Sequence, residues 1–285
     1  MRQDKLIATA LMLVALSAVS GLALITVFIF KTGLPLIFES GARGFFLSLD
    51  WDPKNGSFGI LSMIVGSLMV TAGAMVIGTV FGLGLAIVLT QFCPKELAAI
   101  LKPLIELLAG IPSVVYGFIG VVTIAPLIRI HLGGPGLSVL AASIVLGIMV
   151  LPTVTSISVD ALKAVPRSYW EGSIALGATE WQSTYMVMLK AARSGIVAAI
   201  ILGMGRAIGE TMAVIMVAGN TLEIPHGPLD PVRTLTSNIA LEMGYASGKH
   251  REALFATAVT LFIIIMLLNT AALLIAKRGF RGGGR

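Results

Sequence analysis

Six stretches of this chain run almost free of charge over a length that can cross a lipid bilayer. A membrane-spanning helix needs about 20 mostly apolar residues, because the hydrocarbon is about 30 Å thick and each helical residue rises about 1.5 Å. The runs are Leu6 to Phe30, a stretch between Lys54 and Lys95, Leu107 to Ile128, Leu132 to Val159, roughly Ser194 to Leu222, and Ala253 to Ala276. Arg206 and Glu210 interrupt the fifth. Composition points the same way: 12% of residues are charged and 56% hydrophobic, with a mean hydropathy of +0.97. Soluble domains carry roughly 25% charged residues. A soluble enzyme, a nucleic-acid reader and a disordered chain are all poor fits. The expected fold class is an all-α polytopic membrane protein with six transmembrane helices.

Two runs need a decision. The stretch between Lys54 and Lys95 is long enough for two short spans. From Phe58 to Gln91 it holds no Pro, Asn or Asp to make the turn, so it reads as one long or tilted helix. In the first run Ala18-Val19-Ser20 resembles a signal-peptide cleavage site. The apolar run continues ten residues beyond it, which favours an uncleaved anchor.

Six spans put both termini on one side, and Lys and Arg choose that side. Arg2, Lys5, Lys95, Lys102, Lys163, Arg167, Lys190, Arg193 and four basic residues of the tail make twelve on the terminal side. Lys31, Arg43, Lys54, Arg129, Arg233, Lys249 and Arg251 make seven on the other. The excess predicts cytoplasmic termini. It also accounts for the net charge of +6 without invoking nucleic acid. The single cysteine, Cys93, allows no intrachain disulfide. His131, His226 and His250 lie far apart and read as loop residues, not as a metal site.

The expected organisation is an anchor helix with an extracytoplasmic segment (1–57), a transmembrane domain (58–276) and a basic tail (277–285). Within the transmembrane domain, residues 160–192 form a cytoplasmic loop too long for a simple connector. Pro166 can start a helix there, and Ser168-x-x-Glu171 has the form of a capping box. Trp170, Ile174, Ala178, Trp181, Tyr185 and Met188 follow at helical spacing. A helix with one apolar face is therefore expected at the cytoplasmic surface, with something to bury.

Conventional catalytic constellations are missing from the sequence, and so is the phosphate-cradling G-x-x-x-x-G-K-[ST] loop. If the protein moves a solute uphill, the ATP chemistry belongs to another chain. The informative intramembrane stretch is Gly205-Arg206-Ala207-Ile208-Gly209-Glu210. Arg206 lies thirteen residues from Arg193, about 20 Å along a helix and near mid-membrane. A lone arginine there costs at least ~2.5–3.5 kcal/mol. Glu210, four residues on, is expected to share its helix face and pair with it. One reading is a pair that neutralises itself and pins helices together. The other is a polar point on a solute path, where a guanidinium fork binds an oxyanion and Glu210 releases Arg206 as the anion arrives. Gly205-x-x-x-Gly209 and Gly78-x-x-x-Gly82 can serve intrachain packing or a subunit interface. Glu106 and Asp160 read as interfacial carboxylates, Trp51 and Tyr245 as interfacial anchors.

The inner loop carries a family resemblance. Glu171-Gly172-Ser173-x-x-x-Gly177 followed by Val187-x-Leu189 resembles the E-A-A-x-x-x-G-x9-I-x-L-P loop of ABC importer permeases. Glu171, Gly177 and Leu189 match. Gly172 and Ser173 replace the two alanines, Val187 replaces Ile, and Lys190 stands in place of Pro. Five longer stretches, 51–61, 107–120, 176–183, 203–220 and 234–256, resemble the phosphate-specific (Pst) ABC importer. "GRAIGETMAV" and the "WDP…FGIL" start of the second span resemble its C-type permease subunit more than the A-type partner. The resemblance implies a type I ABC importer permease fold in a bacterial cytoplasmic membrane. It implies transport of inorganic phosphate, with Arg206 and Glu210 on the substrate pathway. It makes 168–189 a coupling helix, with Glu171, Gly172, Ser173 and Gly177 as its ATPase-coupling residues. Implied partners are an A-type sister permease, a cytoplasmic ATPase dimer holding ATP and Mg, an extracytoplasmic phosphate-binding protein and membrane lipid. No cofactor or metal is expected in this chain and no nucleic acid among its partners. The same architecture could carry sulfate or molybdate instead; a stand-alone secondary transporter would need no coupling loop.

Overall fold

Lipid offers no partner for a backbone N–H or C=O, so each crossing must close its hydrogen bonds within itself. The structure, a computed structural model, describes residues 2–281, and the last four residues of the expected basic tail lie outside it. Helix α1 covers Arg2–Ser40 and α2 Ala42–Phe46. A short antiparallel hairpin follows, β1 (Trp51–Asp52) and β2 (Ser57–Phe58), with Trp51 opposite Phe58. Next come α3 (Leu61–Ile87), α4 (Lys95–Gly110), α5 (Ser113–Ile119), α6 (Ala125–His131) and α7 (Val139–Lys163). The cytoplasmic loop supplies α8 (Arg167–Ala175), α9 (Glu180–Gln182) and α10 (Leu189–Ala191). The last described elements are α11 (Arg193–Gly209), α12 (Met212–Val217), α13 (Leu235–Glu242) and α14 (Gly248–Arg281).

Among the described residues, five helices are long and apolar enough to cross a membrane: Thr9–Ser40, Leu61–Phe92, Ser113–His131, Val139–Lys163 and Gly248–Leu274. The sixth crossing is Arg193–Gly209, which passes the same length and composition test only together with Glu180–Ala191, the cytoplasmic-loop helix that precedes it at a bend of 71°. The expected single helix between Lys54 and Lys95 is present, and it closes in a wide π-turn, Val88–Phe92.

Other boundaries differ from the apolar runs, for local reasons. The first helix does not stop at Phe30; it continues through Pro35 to Ser40. The third crossing starts at Ser113, not Leu107, because Ile111 is extended (φ −68°, ψ 129°). Pro112 imposes this by crowding the residue before it out of the helical region. The fourth starts at Val139, not Leu132. Gly133, Gly134 and Gly136 hold φ of 83°, 72° and 86°, and Ser138 Oγ then accepts the Ala141 N–H at 3.2 Å as an N-cap. The fifth ends at Gly209, because Glu210 is extended.

The chain divides into two compact units. In the first, Met1–Leu61 with Ile239–Ile263, Phe28 meets Phe255 and Phe30 meets Phe262 edge to face, at 5.4 and 5.5 Å between centroids. Gly33 lets these helices approach: a Cβ there would stand 2.6 Å from the Phe255 carbonyl carbon. Trp51 is not an interfacial anchor. It is 6% exposed, and its Nε1 donates to Glu242 Oε2 at 3.0 Å. Nor is His250 a loop residue; it lies in α14, with Nε2 2.8 Å from the same oxygen. Tyr245, at 70% exposed, remains free to act as an anchor.

In the second unit, Ser62–Asn238 with Ile264–Arg285, α7 is the central helix. Its crossing is 61% buried, against 28% or less for the other four. Val145, Leu146, Met149 and Val150 pack with Val70 and Ala74 of α3, Ala207 of α11, and Val214 and Val217 of α12. Glycines make this approach close. A Cβ on Gly78 would lie 3.1 Å from Val150 Cγ1, on Gly82 3.1 Å from Val154, and on Gly203 2.8 Å from Val150 Cγ1. The Gly78-x-x-x-Gly82 pair therefore serves intrachain packing. Gly205 and Gly209 meet nothing within 4 Å. Gly203→Val should overpack the α7–α11 contact at a cost of about 1–3 kcal/mol. Its unfolding midpoint in detergent should fall by several degrees, whereas Gly205→Ala should leave that midpoint unchanged.

Candidate functional site

Arg206 sits in the last turn of α11, half-buried, and Glu210 directly follows that helix. The expected i, i+4 pair is not formed. Glu210 has left the helical path (φ −68°, ψ 132°), so the two residues no longer share a helix face. Its Oε1 instead accepts the Ala213 N–H at 3.2 Å, near the start of α12, where free backbone donors and the helix dipole favour a carboxylate. Among the described residues Arg206 has no carboxylate within 4.0 Å.

A hydroxyl cluster around Glu210 escaped the sequence reading. Thr236 Oγ1 donates to the Glu210 carbonyl at 3.0 Å, and the Leu235 N–H donates to Ser67 Oγ at 2.9 Å. Ser67, Thr71, Thr234 and Thr236 line a cavity of about 10 Å³ that also touches Glu210. That is room for about one water. The missed signal was Thr234-Leu235-Thr236-Ser237-Asn238, a polar run that the fold buries.

The cytoplasmic loop is helical, but in two pieces and not one. Pro166 does precede the first helix, yet Ser168 makes no capping hydrogen bond. The α8 helix stops at Ala175, and Gly177 takes φ 86°, a left-handed turn open to glycine. A true capping box then starts α9: Gln182 N donates to Thr179 Oγ1 at 3.2 Å, and Thr179 N to Gln182 Oε1 at 2.9 Å. Ser173 Oγ meets Ser183 Oγ and ties the two arms of this elbow together. Of the expected apolar face, Met188 is buried and Trp170 and Ala178 are half-buried, whereas Ile174, Trp181 (61%) and Tyr185 (62%) are exposed. Leu176, off that spacing, is 91% exposed, and Glu171, Gly172 and Gly177 are also exposed.

The sequence model of the binding-protein-dependent transport system inner membrane component matches residues 78–280. The chain belongs to that family. Among relatives of this inner membrane component, a probable ABC transporter permease protein YqgH of Bacillus subtilis is 42% identical over 250 residues, covering 86% of this chain and 80% of its own. The phosphate transport system permease protein PstC of Xylella fastidiosa is 35% identical over 260 residues, covering 84% and 80%. Solved structures share the fold. The inward-facing MetNI methionine ABC transporter gives a TM-score of 0.61 at 20% identity, over 77% of this chain and 96% of that one. A bacterial ABC transporter involved in the import of the acidic polysaccharide alginate gives 0.63 at 14% identity, over 98% and 99%. The architecture is that of a type I ABC importer permease.

Gly177→Ala should cost about 1–2 kcal/mol by forcing a side chain into the left-handed region. Amide exchange should quicken at 176–179 and stay unchanged in α7. Unchanged exchange at the elbow would mean that the turn tolerates a Cβ.

Proposed function

We propose that this chain is the permease subunit of an ATP-driven ABC importer that carries inorganic phosphate across the cytoplasmic membrane. The observation that carries the reading is the likeness, 35% identical over 84% of this chain, to a phosphate transport system permease protein. An intramembrane guanidinium with no carboxylate within 4.0 Å among the described residues fits an oxyanion cargo. Arg206 offers a planar fork of donors that can replace part of the ion's water shell. Glu210 acts beside it as a positioning residue, holding the start of α12 where the pathway passes.

The elbow from α8 to α9 is the coupling element. Leu176 and Trp181 leave apolar surface in water, which a docked ATPase would cover. Glu171, Gly172, Ser173 and Gly177 form and shape that surface. ATP and magnesium belong to the ATPase dimer, and this chain supplies no hydrolytic group. An extracytoplasmic phosphate-binding protein delivers the ion, and an A-type sister permease completes the pathway. Closure of the ATPases draws the elbow inward, tilting the crossings so that the path opens outward.

In vesicles holding the whole assembly, Arg206→Gln should cut uptake of radiolabelled phosphate at least about tenfold, the loss of a charge-assisted pair of hydrogen bonds. The complex should elute intact; wild-type uptake would return Arg206 to a packing role. Glu171→Lys should reduce the ATPase that copurifies with the permease several-fold. Undiminished copurification would remove Glu171 from the coupling surface. Excess unlabelled phosphate, but not sulfate, should compete for uptake, and equal competition would broaden the cargo to oxyanions.

A further inference from the structure

Where two crossings reach the cytoplasm, the second unit holds a cavity of about 960 Å³. Its wall runs from Leu89 and Thr90, at the end of Leu61–Phe92, to Leu162 and Lys163, at the end of Val139–Lys163. The remaining sides come from α4 and the first turns of α8. It therefore lies at the level where hydrocarbon gives way to headgroups and water.

The wall has two characters. Leu89, Ala98, Val165 and Met188 are apolar, whereas Lys95, Lys102, Lys163 and Arg167 are cationic. Two carboxylates, Glu106 and Glu171, also face the space. Lys102 is already engaged, 3.0 Å from Asp160 Oδ1 and 3.9 Å from Glu106 Oε1. Among the described residues, Lys95, Lys163 and Arg167 have no carboxylate within 4.0 Å, although Glu171 stands four residues from Arg167 on the same helix. Four cations against two carboxylates on a half-apolar cavity leave a net positive local field that attracts an anion.

We propose that this cavity binds the phosphate headgroup of an acidic phospholipid of the cytoplasmic leaflet, of the phosphatidylglycerol kind. Inorganic phosphate would satisfy the charges. However, the volume lies near the top of the roughly 300–1,000 Å³ range of small-molecule sites, and half of the wall would face the ion with nothing to offer. A phospholipid uses both characters: its phosphate meets Lys95, Lys163 and the Arg167 fork, and its glycerol and first acyl carbons lie along Leu89 and Val165. Trp170, also on the wall, is a residue type suited to that depth. A lipid held there would bridge α4, α7 and α8 and brace the base of the cytoplasmic elbow. This inference is independent of the cargo.

The test counts phospholipids retained by the intact transporter complex in native mass spectrometry after detergent exchange. Wild type should keep phosphatidylglycerol in preference to phosphatidylethanolamine. Lys95→Gln with Lys163→Gln should lower that retention roughly tenfold. Lys95→Arg with Lys163→Arg should restore it, and Lys54→Gln, on the opposite side of the membrane, should not change it. Equal retention by wild type and the double glutamine variant would overturn the proposal, as would equal retention of the two lipids. A second arm offers radiolabelled inorganic phosphate to the complex in phosphatidylethanolamine nanodiscs. Binding there that the double glutamine variant loses, without phosphatidylglycerol retention, would make this a free-phosphate site instead. Retention seen only after the ATPase is stripped away would give the cavity to that subunit.

Discussion

Hydrocarbon contains no donor or acceptor to replace a lost intrahelical hydrogen bond, so a helix can break inside an apolar run only where side chains take over the freed backbone groups. This chain does so twice. At Ile111–Pro112 the Tyr116 hydroxyl donates to the Leu108 carbonyl at 2.7 Å, near the end of α4. At Glu210 the carboxylate takes the Ala213 N–H, and the Thr236 hydroxyl serves the Glu210 carbonyl. Several of the polar residues that interrupt these runs are thus explained first by backbone chemistry. The rest of the second unit follows from where the breaks fall. They part the Ser113–His131 crossing from α4 and the short α12 from α11, and α5 and α12 then pack against one another and against α7, whose small and β-branched residues bring the neighbours close.

The number and rough position of the crossings were legible because apolar length is a direct consequence of bilayer thickness. The breaks were not, because the same residue types act differently by context. Pro35, Pro103 and Pro152 all lie inside continuous helices, yet Pro112 ends one. Composition cannot separate these cases; what differs is whether the preceding residue can turn extended and still have its backbone served. The capping box that does form was written in the sequence as Thr179-x-x-Gln182, two residues after a glycine. It was masked by an apolar spacing that runs on through the turn. The family resemblance on Glu171, Gly177 and the "RAIGE" stretch located the same segments that the structure leaves exposed or broken.

Separating Arg206 from Glu210 changes the charge logic of the fifth crossing. A carboxylate four residues away on an unbroken helix would have offset most of the cost of a mid-membrane guanidinium, about 2.5–3.5 kcal/mol on insertion scales. The chain forgoes that compensation and spends the carboxylate on a helix N-terminus. A pair whose role was to pin helices together would keep its two charges in contact. An arginine left without a counter-ion beside a helix break already holds its donors free. An arriving anion need not first displace Glu210, so binding would require no carboxylate to swing away into lipid. If phosphate passes Arg206 as proposed, a tilt of α12 would strain the hydrogen bonds that Thr236 and Ala213 make to Glu210, and opening of the path would carry that specific, local cost.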